Sequence, residues 1–99
     1  MEKDYFKDRP PESRCFEDVK PGNEAYICLK KMQPYAKEID DLTLVTICRK
    51  LTRDNHPRGI KVEGIDNNGN LVVGRVVYLV YEGKLLTKNG LKDKSEVYK

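Results

Sequence analysis

A predicted β-hairpin over residues 60–81 places the strongest constraint on the fold. In "GIKVEGID" apolar and charged residues alternate, so Ile60 and Val62 are expected to face inward. The β-branched run "LVVGRVVYLVY" follows after "DNNG" at 66–69, where Asn-Gly accepts the positive φ that a tight two-residue turn needs. Gly74, within this run, predicts a bulge or tight bend, as a small barrel requires where a strand changes sheet.

Further strands are predicted on both sides of this hairpin. A short strand at about 25–30 follows a Pro-Gly turn signal, and "LTLVTICRKLT" at 42–52 is a long run rich in β-branched residues. A second Asn-Gly turn at 89–90 leaves room for one last short strand. We therefore predict a mainly β protein of four or five strands that closes as a small antiparallel barrel, SH3-like or OB-like, because closure removes exposed strand edges. A plain open meander is the alternative.

The length of 99 residues suits a single domain. Residues 1–18 mix charges with adjacent prolines and show no periodicity, which predicts a loosely ordered, flexible leader. Residues 19–99 are predicted to form the one β-barrel domain, with a basic C-terminal tail. The candidate anchors of the leader are its few apolar side chains, namely Tyr5, Phe6, Cys15 and Phe16.

Composition and cysteine usage narrow the class of protein. Hydrophobic residues make up 38% of the chain and charged residues 35%, which is typical of a soluble globular domain. There is no apolar run of the ~20 residues that a membrane span needs, and no secretory signal is visible, so we predict a cytoplasmic protein without a membrane partner. The three cysteines lack metal-ligand spacing and are expected to be reduced. Cys28 and Cys48 fall in strand patterns and are predicted to be buried and slow to react.

The lone histidine, His56, lies in a loop between two predicted strands. A catalytic or metal-binding histidine needs partners, and nearby in sequence only Asp54 and the thiols are available, without a recognisable spacing. No hydrolase, zinc or phosphate-loop motif is present. We therefore predict a protein that is not an enzyme and holds no metal or cofactor. In this interpretation His56, Pro57 and Gly59 shape the loop: the imidazole caps backbone groups, the proline fixes the path and the glycine relieves crowding.

Basic residues are concentrated in the body of the chain. Residues 1–24 carry five basic and seven acidic side chains, whereas residues 25–99 carry fourteen basic and nine acidic ones. Around the predicted loop, five cations fall within thirteen residues against the single Asp54, and we expect them to cluster on one side of the barrel. The five are Arg49, Lys50, Arg53, Arg58 and Lys61, and Lys30, Lys31 and Arg75 are candidates to extend the cluster.

This pattern predicts a non-enzymatic nucleic-acid-binding barrel, with RNA favoured over DNA. Small barrels bind single strands with cations on phosphates and aromatic rings stacked on bases. The stacking candidates are Tyr26, Tyr35, Tyr78 and Tyr81. Tyr26 and Tyr78 lie in strands and are expected to pack against the core, so Tyr35, in a loop, is preferred. The alternative is a protein–protein adaptor whose partner lies against a strand edge or the acidic leader.

Several short stretches of the sequence match a known family in order and rough spacing. They are "KPG" at 20–22, "LKK" at 29–31 with Gln33, "LT" at 51–52, "HPRGIKV" at 56–62 and "VGRV" at 73–76. Over about residues 19–80 they resemble the YwbE-like family of small bacterial proteins. The resemblance implies a small β-rich domain and a loop of preferred shape, and it implies no activity. Two departures are visible: "PYAKEIDDL" replaces a shorter basic turn containing glycine, and Arg58 stands where the family pattern has a second histidine.

The predicted turn at 66–69 can be tested by replacing its glycine. If Gly69 adopts a positive φ, Gly69→Val should lower the free energy of unfolding by about 1 kcal/mol or more, because a side chain disfavours that conformation. Chemical denaturation monitored by circular dichroism measures the change. An unaltered denaturation midpoint would mean that the strand register is set elsewhere.

Overall fold

The computed structural model describes residues 6–97, which contain six β-strands and a few single helical turns. The strands are β1 (Glu24–Leu29), β2 (Thr43–Lys50), β3 (Lys61–Asp66), β4 (Leu71–Tyr81), β5 (Lys84–Thr87) and β6 (Gly90–Lys92). Three 3₁₀ turns span Pro11–Arg14, Lys30–Met32 and Ile39–Asp41, and one α-helical turn, α1, spans Lys94–Val97. Within this range no helix has the length and apolar character that crossing a bilayer requires.

The six strands pair in chain order, and every pairing is antiparallel. β1 also pairs with β4, which closes the first four strands into a barrel. β5 and β6 continue the sheet beyond the barrel from the second half of β4. The predicted mainly β fold and small antiparallel barrel are therefore confirmed, and the open meander is not adopted.

The barrel interior is filled by aliphatic side chains that alternate along the strands. Ile60 and Val62 are fully buried, as the alternation in the sequence predicted, and Val45 and Ile47 face them from β2. The remaining members of this core are Val19, Ala25, Ile27, Val76 and Leu79. Since these residues have no polar side-chain atoms, their burial stabilises the fold mainly through the hydrophobic effect.

The junction of β1 and β4 contains a glycine contact and a bulge. A Cβ atom on Gly74 would lie 2.5 Å from the carbonyl oxygen of Cys28, so only glycine allows the two backbones to approach this closely. The predicted bulge is not at Gly74 itself. The register shifts further along, where Tyr26 pairs with Tyr78 but Ile27 pairs with Val76. Residue 77 is thus the extra one, and the two halves of β4 present opposite residue parities to the interior.

The position of Cys48 in β2 overturns the prediction that its thiol is buried. The side chain of Cys48 is exposed, whereas that of Cys28 is buried as predicted. Val45 and Ile47 are buried and Thr46 is exposed, so Cys48 continues the alternation on the outward side of the strand, although the sequence run is apolar on both sides. A bulge begins there: Ile47 pairs with Gly64 and Arg49 with Glu63, which leaves Cys48 unpaired and changes which side of the strand the following residues face.

A second apolar cluster covers the outer surface of β1 and β4. Tyr78 is 1% exposed and stacks edge-to-face with Phe6, with ring centroids 6.1 Å apart. The loop between β1 and β2 closes over this surface. The further buried members are Cys28, Ala36, Ile39, Leu42, Val77 and Leu85. The expectation that Tyr26 and Tyr78 pack against the core is therefore confirmed.

The described part of the leader, residues 6–18, lies along one side of the barrel. Its backbone carbonyl groups accept hydrogen bonds from the rest of the domain, among them one of 2.9 Å from Ile60 N–H to Ser13 and one of 2.8 Å from Lys88 N–H to Asp8. Phe16 packs against the main core, and Pro10 and Ser13 are fully buried. The predicted anchor Tyr5 lies outside the described residues.

The turn between β3 and β4 has three residues rather than the predicted two. Asp66 and Asn70 close it through a backbone hydrogen bond of 3.0 Å, and the Asp66 side chain accepts the N–H groups of Asn68 and Asn70. Of the residues in the turn only Gly69 has a positive φ, of +80°. A Cβ atom there would meet nothing within 4 Å, so a substitution at this position disturbs backbone conformation alone.

The exposure of the thiols predicts their order of reaction. Cys48 should be alkylated readily in the native protein, whereas Cys28 should react slowly because it is buried and because that burial raises the pKa of its thiol. Peptide mapping after timed treatment with iodoacetamide measures both rates, and the denatured chain supplies the unprotected reference. Equal rates for the two thiols in the native protein would contradict the outward-facing position of Cys48 in β2.

Candidate nucleic-acid interface

The outer surface of β3 and β4 carries two cations side by side. Lys61 and Arg75 are direct partners in the antiparallel register, and both side chains are half-buried. Residues on either side of them, Val62 and Val76, point into the core, so Lys61 and Arg75 point outward. Like charges placed directly opposite each other across two strands repel, so this pair raises the local positive potential at a small cost in stability.

The guanidinium of Arg75 also holds the adjoining loop. Its Nη1 donates a hydrogen bond of 3.1 Å to the carbonyl oxygen of Gly59. Gly59 has a φ of +103°, and a Cβ atom there would clash with the carbonyl oxygen of Val76. Val76 N–H in turn donates to Ile60 at 2.9 Å. The loop therefore returns to the barrel along a path that requires glycine.

The loop at residues 51–60 presents Arg53 and Arg58 to solvent. Both side chains are exposed, and neither has a hydrogen bond or ion pair with another described residue. The backbone N–H of Arg58 donates to Nδ1 of His56 at 3.1 Å, so the imidazole caps the loop. We call Arg53, Arg58, Lys61 and Arg75 the cationic face.

Arg49 is largely neutralised by its neighbour across the strands. Its Nε lies 3.0 Å from Oε1 of Glu63, its partner in the β2–β3 register. The Arg49 side chain remains 67% exposed, so the ion pair contributes little to stability. The ion pair with Arg49 does engage the carboxylate of Glu63, which is the acidic residue nearest in register to Lys61 and Arg75.

The structure places Lys50 away from the cationic face. The bulge at Cys48 puts Lys50 opposite the inward-facing Val62, so its side chain turns toward the leader. Its Nζ donates a 2.7 Å hydrogen bond to the carbonyl oxygen of Phe16 and lies 3.6 Å from the centre of the Phe16 ring. Cation–π contact and hydrogen bond together assign Lys50 to holding the leader.

Tyr35 is the most exposed tyrosine in the described range, at 68% of its maximum area. It follows the 3₁₀ turn at Lys30–Met32, which contacts β4, and both Lys30 and Lys31 are exposed there. β1 ends at this turn, shortly after Cys28 pairs with Arg75. Lys30 and Lys31 therefore adjoin the strand that carries Arg75, with Tyr35 in the loop that follows their turn, and Tyr81 lies at the opposite end of that strand.

Two features of this side of the molecule were missed in the sequence. Ile65, Leu71 and Val73 form an exposed apolar strip on β3 and β4, with Leu71 60% exposed. Their alternation suggested a strand but not that one face would remain uncovered. A cavity also opens between the leader and the 51–60 loop, lined in part by Arg14 and Asn55. Its walls meet only through tertiary contacts, which a local pattern does not encode.

Among residues 6–97 no group of three or more His, Cys, Asp or Glu side chains is placed to hold a metal ion. Comparison with protein-family models, with curated proteins and with solved structures finds no significant match. The resemblance to the YwbE-like family therefore stays a prediction.

Proposed function

We propose that this protein is a non-enzymatic nucleic-acid-binding barrel whose cationic face follows the phosphate backbone of single-stranded RNA. The observation that supports this best is the cross-strand pair of Lys61 and Arg75. Two cations held in register, with the nearest carboxylate in register already paired to Arg49, form a local excess of positive charge. A polyanion relieves the repulsion within this pair, and it releases counterions on binding.

The arrangement of the other cations extends the contact beyond this pair. Arg53 and Arg58 are exposed on a loop whose shape is set by two hydrogen bonds, one that Nδ1 of His56 accepts and one that Arg75 donates. Because the backbone of the loop is held in place, less conformational entropy is lost when the arginines contact a strand. With the half-buried Lys61 at the start of β3 and the exposed Arg53 and Arg58 in the loop, the cations suit a chain of successive phosphates better than a single small anion.

Tyr35 is proposed to add a base contact. Its ring is exposed on the loop after β1, and aromatic stacking is worth about 1–3 kcal/mol per base in single-strand binding. The proposal favours RNA over DNA because a 2′-hydroxyl offers the free donors of the 51–60 loop an acceptor that DNA lacks. Titration with a DNA of the same sequence tests this choice directly.

A protein–protein adaptor is the second candidate, and the apolar strip on β3 and β4 is the observation in its favour. Ile65 and Leu71 are direct cross-strand partners with exposed fractions of 43% and 60%. Exposed aliphatic neighbours on a sheet are typical of a docking surface. Apolar docking depends little on salt, whereas phosphate contacts weaken steeply as the salt concentration rises, so ionic strength separates the two functions.

Replacing both loop arginines tests the proposed function. Arg53→Ala together with Arg58→Ala should weaken RNA binding without unfolding the domain, because both side chains are exposed and neither is hydrogen-bonded to another described residue. Each phosphate contact on a single strand contributes about 0.7 to the slope of log affinity against log salt concentration. The double variant should therefore lose roughly 1 to 1.5 units of slope, measured by fluorescence anisotropy with a short labelled RNA at several salt concentrations.

The matched control removes the same charge from the other end of the sheet. Lys84 and Lys88 are exposed at the ends of β5, and replacing both with alanine should leave the slope close to that of the wild type. His56→Asn should have a smaller effect than the arginine pair, through loop shape alone. If the wild-type protein fails to bind RNA even at low salt, the nucleic-acid function is wrong and the adaptor function replaces it.

A further inference from the structure

A cavity of about 420 Å³, largely open to solvent, lies between the leader and the 51–60 loop. Its volume falls in the ~300–1,000 Å³ range of sites that hold small molecules or parts of larger ligands. One wall comes from the 3₁₀ turn of the leader and the other from the loop that carries Arg53 and Arg58. The lining residues are Pro11, Arg14, Cys15, Asn55, His56 and Pro57.

Hydrogen bonds hold the two walls together. The backbone N–H of His56 donates to the carbonyl oxygen of Arg14 at 3.0 Å, and that of Phe16 donates to Oδ1 of Asn55 at 2.8 Å. Next to them, Ile60 N–H donates to Ser13. These three bonds cross between segments distant in sequence, so the cavity is formed before any ligand enters it. A preformed cavity loses little entropy on binding.

The free nitrogen groups along this cavity are hydrogen-bond donors. Nε of Arg14 is buried and has no hydrogen-bond partner among the described residues. Oδ1 of Asn55 already accepts the Phe16 N–H, which leaves the two amide hydrogens on its nitrogen. Nδ1 of His56 accepts the Arg58 N–H, so the proton of the neutral imidazole lies on Nε2.

The charge that the lining of the cavity carries is positive. Arg14 is a fixed cation, and none of the residues that line the cavity is a carboxylate. The nearby acidic residues, Glu12 and Asp54, precede lining residues in the chain and are not part of the wall. A ligand that supplies only acceptors and carries negative charge complements such a lining, because the Arg14 guanidinium forms charge-assisted hydrogen bonds with anions.

We propose that this cavity binds a phosphate group, held by Arg14, Asn55 and His56. The group is either a backbone phosphate of the RNA that the cationic face contacts or a free phosphate. The first source rests on the proposed function, because the cavity shares its loop with Arg53 and Arg58. The second source does not depend on it. Pro11 and Pro57 supply the apolar parts of the wall and make no polar contact with the ligand.

The test is a titration with inorganic phosphate at constant ionic strength, followed in ¹H–¹⁵N spectra. Saturable shifts are expected for the Nε–H of Arg14 and the side-chain amide of Asn55. Asn55→Asp keeps the oxygen that accepts the Phe16 N–H but adds a negative charge to the cavity, so phosphate binding should weaken at least about tenfold. Asn89→Asp makes the same charge change in the exposed turn between β5 and β6 and should leave phosphate binding unchanged.

Arg14→Gln provides a second variant, which removes the cation and should also abolish the saturable shifts. Its thermal midpoint shows whether the fold is retained. Absence of saturable shifts in the wild-type protein, or equal loss for Asn55→Asp and Asn89→Asp, would overturn the cavity proposal whatever the protein does with RNA.

An RNA arm of the experiment distinguishes the two sources. If a short single-stranded RNA displaces inorganic phosphate and binds Asn55→Asp more weakly than Asn89→Asp, the ligand is a backbone phosphate. If phosphate saturates the cavity but RNA neither competes nor binds, the ligand is free phosphate. In that case the site stands while the proposed RNA-binding function fails.

Discussion

Closure of the barrel depends on the backbone of β1 passing against β4 at Gly74. A side chain at this position would meet the Cys28 carbonyl group at 2.5 Å, well inside van der Waals contact. Gly64 has the same role one strand away, since a Cβ atom there would lie 2.7 Å from the Val45 side chain. These two glycines let the sheet coil tightly enough for β1 to reach β4, and the bulge in β4 near Tyr78 completes the bend.

The same geometry decides which cations are available to a ligand. Because β3 and β4 stay in register near the point of closure, Lys61 and Arg75 emerge together on the outer surface. The bulge in β2 has the opposite effect on Lys50, which turns inward and contacts Phe16. The leader that Lys50 holds then forms one wall of the cavity beside the 51–60 loop. Barrel closure, leader docking and the exposed charges are thus parts of one packing arrangement.

The strands and the closed barrel could be predicted from the sequence because alternation and turn signals are local. Ile60 and Val62 are buried as expected, and β4 has the bounds that its β-branched run indicated. The bulges were not predictable, since they arise from the twist of paired strands, and a misplaced bulge changes the side that each later residue faces. Cys48 was expected in the core because the run at 42–52 is apolar on both sides, but it lies on the outward side of β2 with Thr46 and is exposed.

The same distinction applies to the candidate site, where positions in loops could be predicted from the sequence and contacts that depend on strand register could not. Exposure of Arg53, Arg58 and Tyr35 follows from their positions in loops, which the sequence indicates directly. The engagement of Arg49 with Glu63 and of Lys50 with the leader depends on register and could not be seen. Beside the cavity a hydrogen bond joins Phe16 and Asn55, which are 39 residues apart. The docked leader segment has no periodic sequence pattern from which its position could be predicted. Pairing at this distance is a property of the folded chain.

Mapping the contact surface in solution tests the central claim most directly. On titration with a short single-stranded RNA, we expect the largest backbone amide shifts at residues 51–61 and around Arg75, with smaller ones near Tyr35. Raising the salt concentration should reduce all of these shifts together. Shifts that centre on Ile65 and Leu71 and persist at high salt, or shifts confined to β5 and β6, would contradict the assignment of the cationic face.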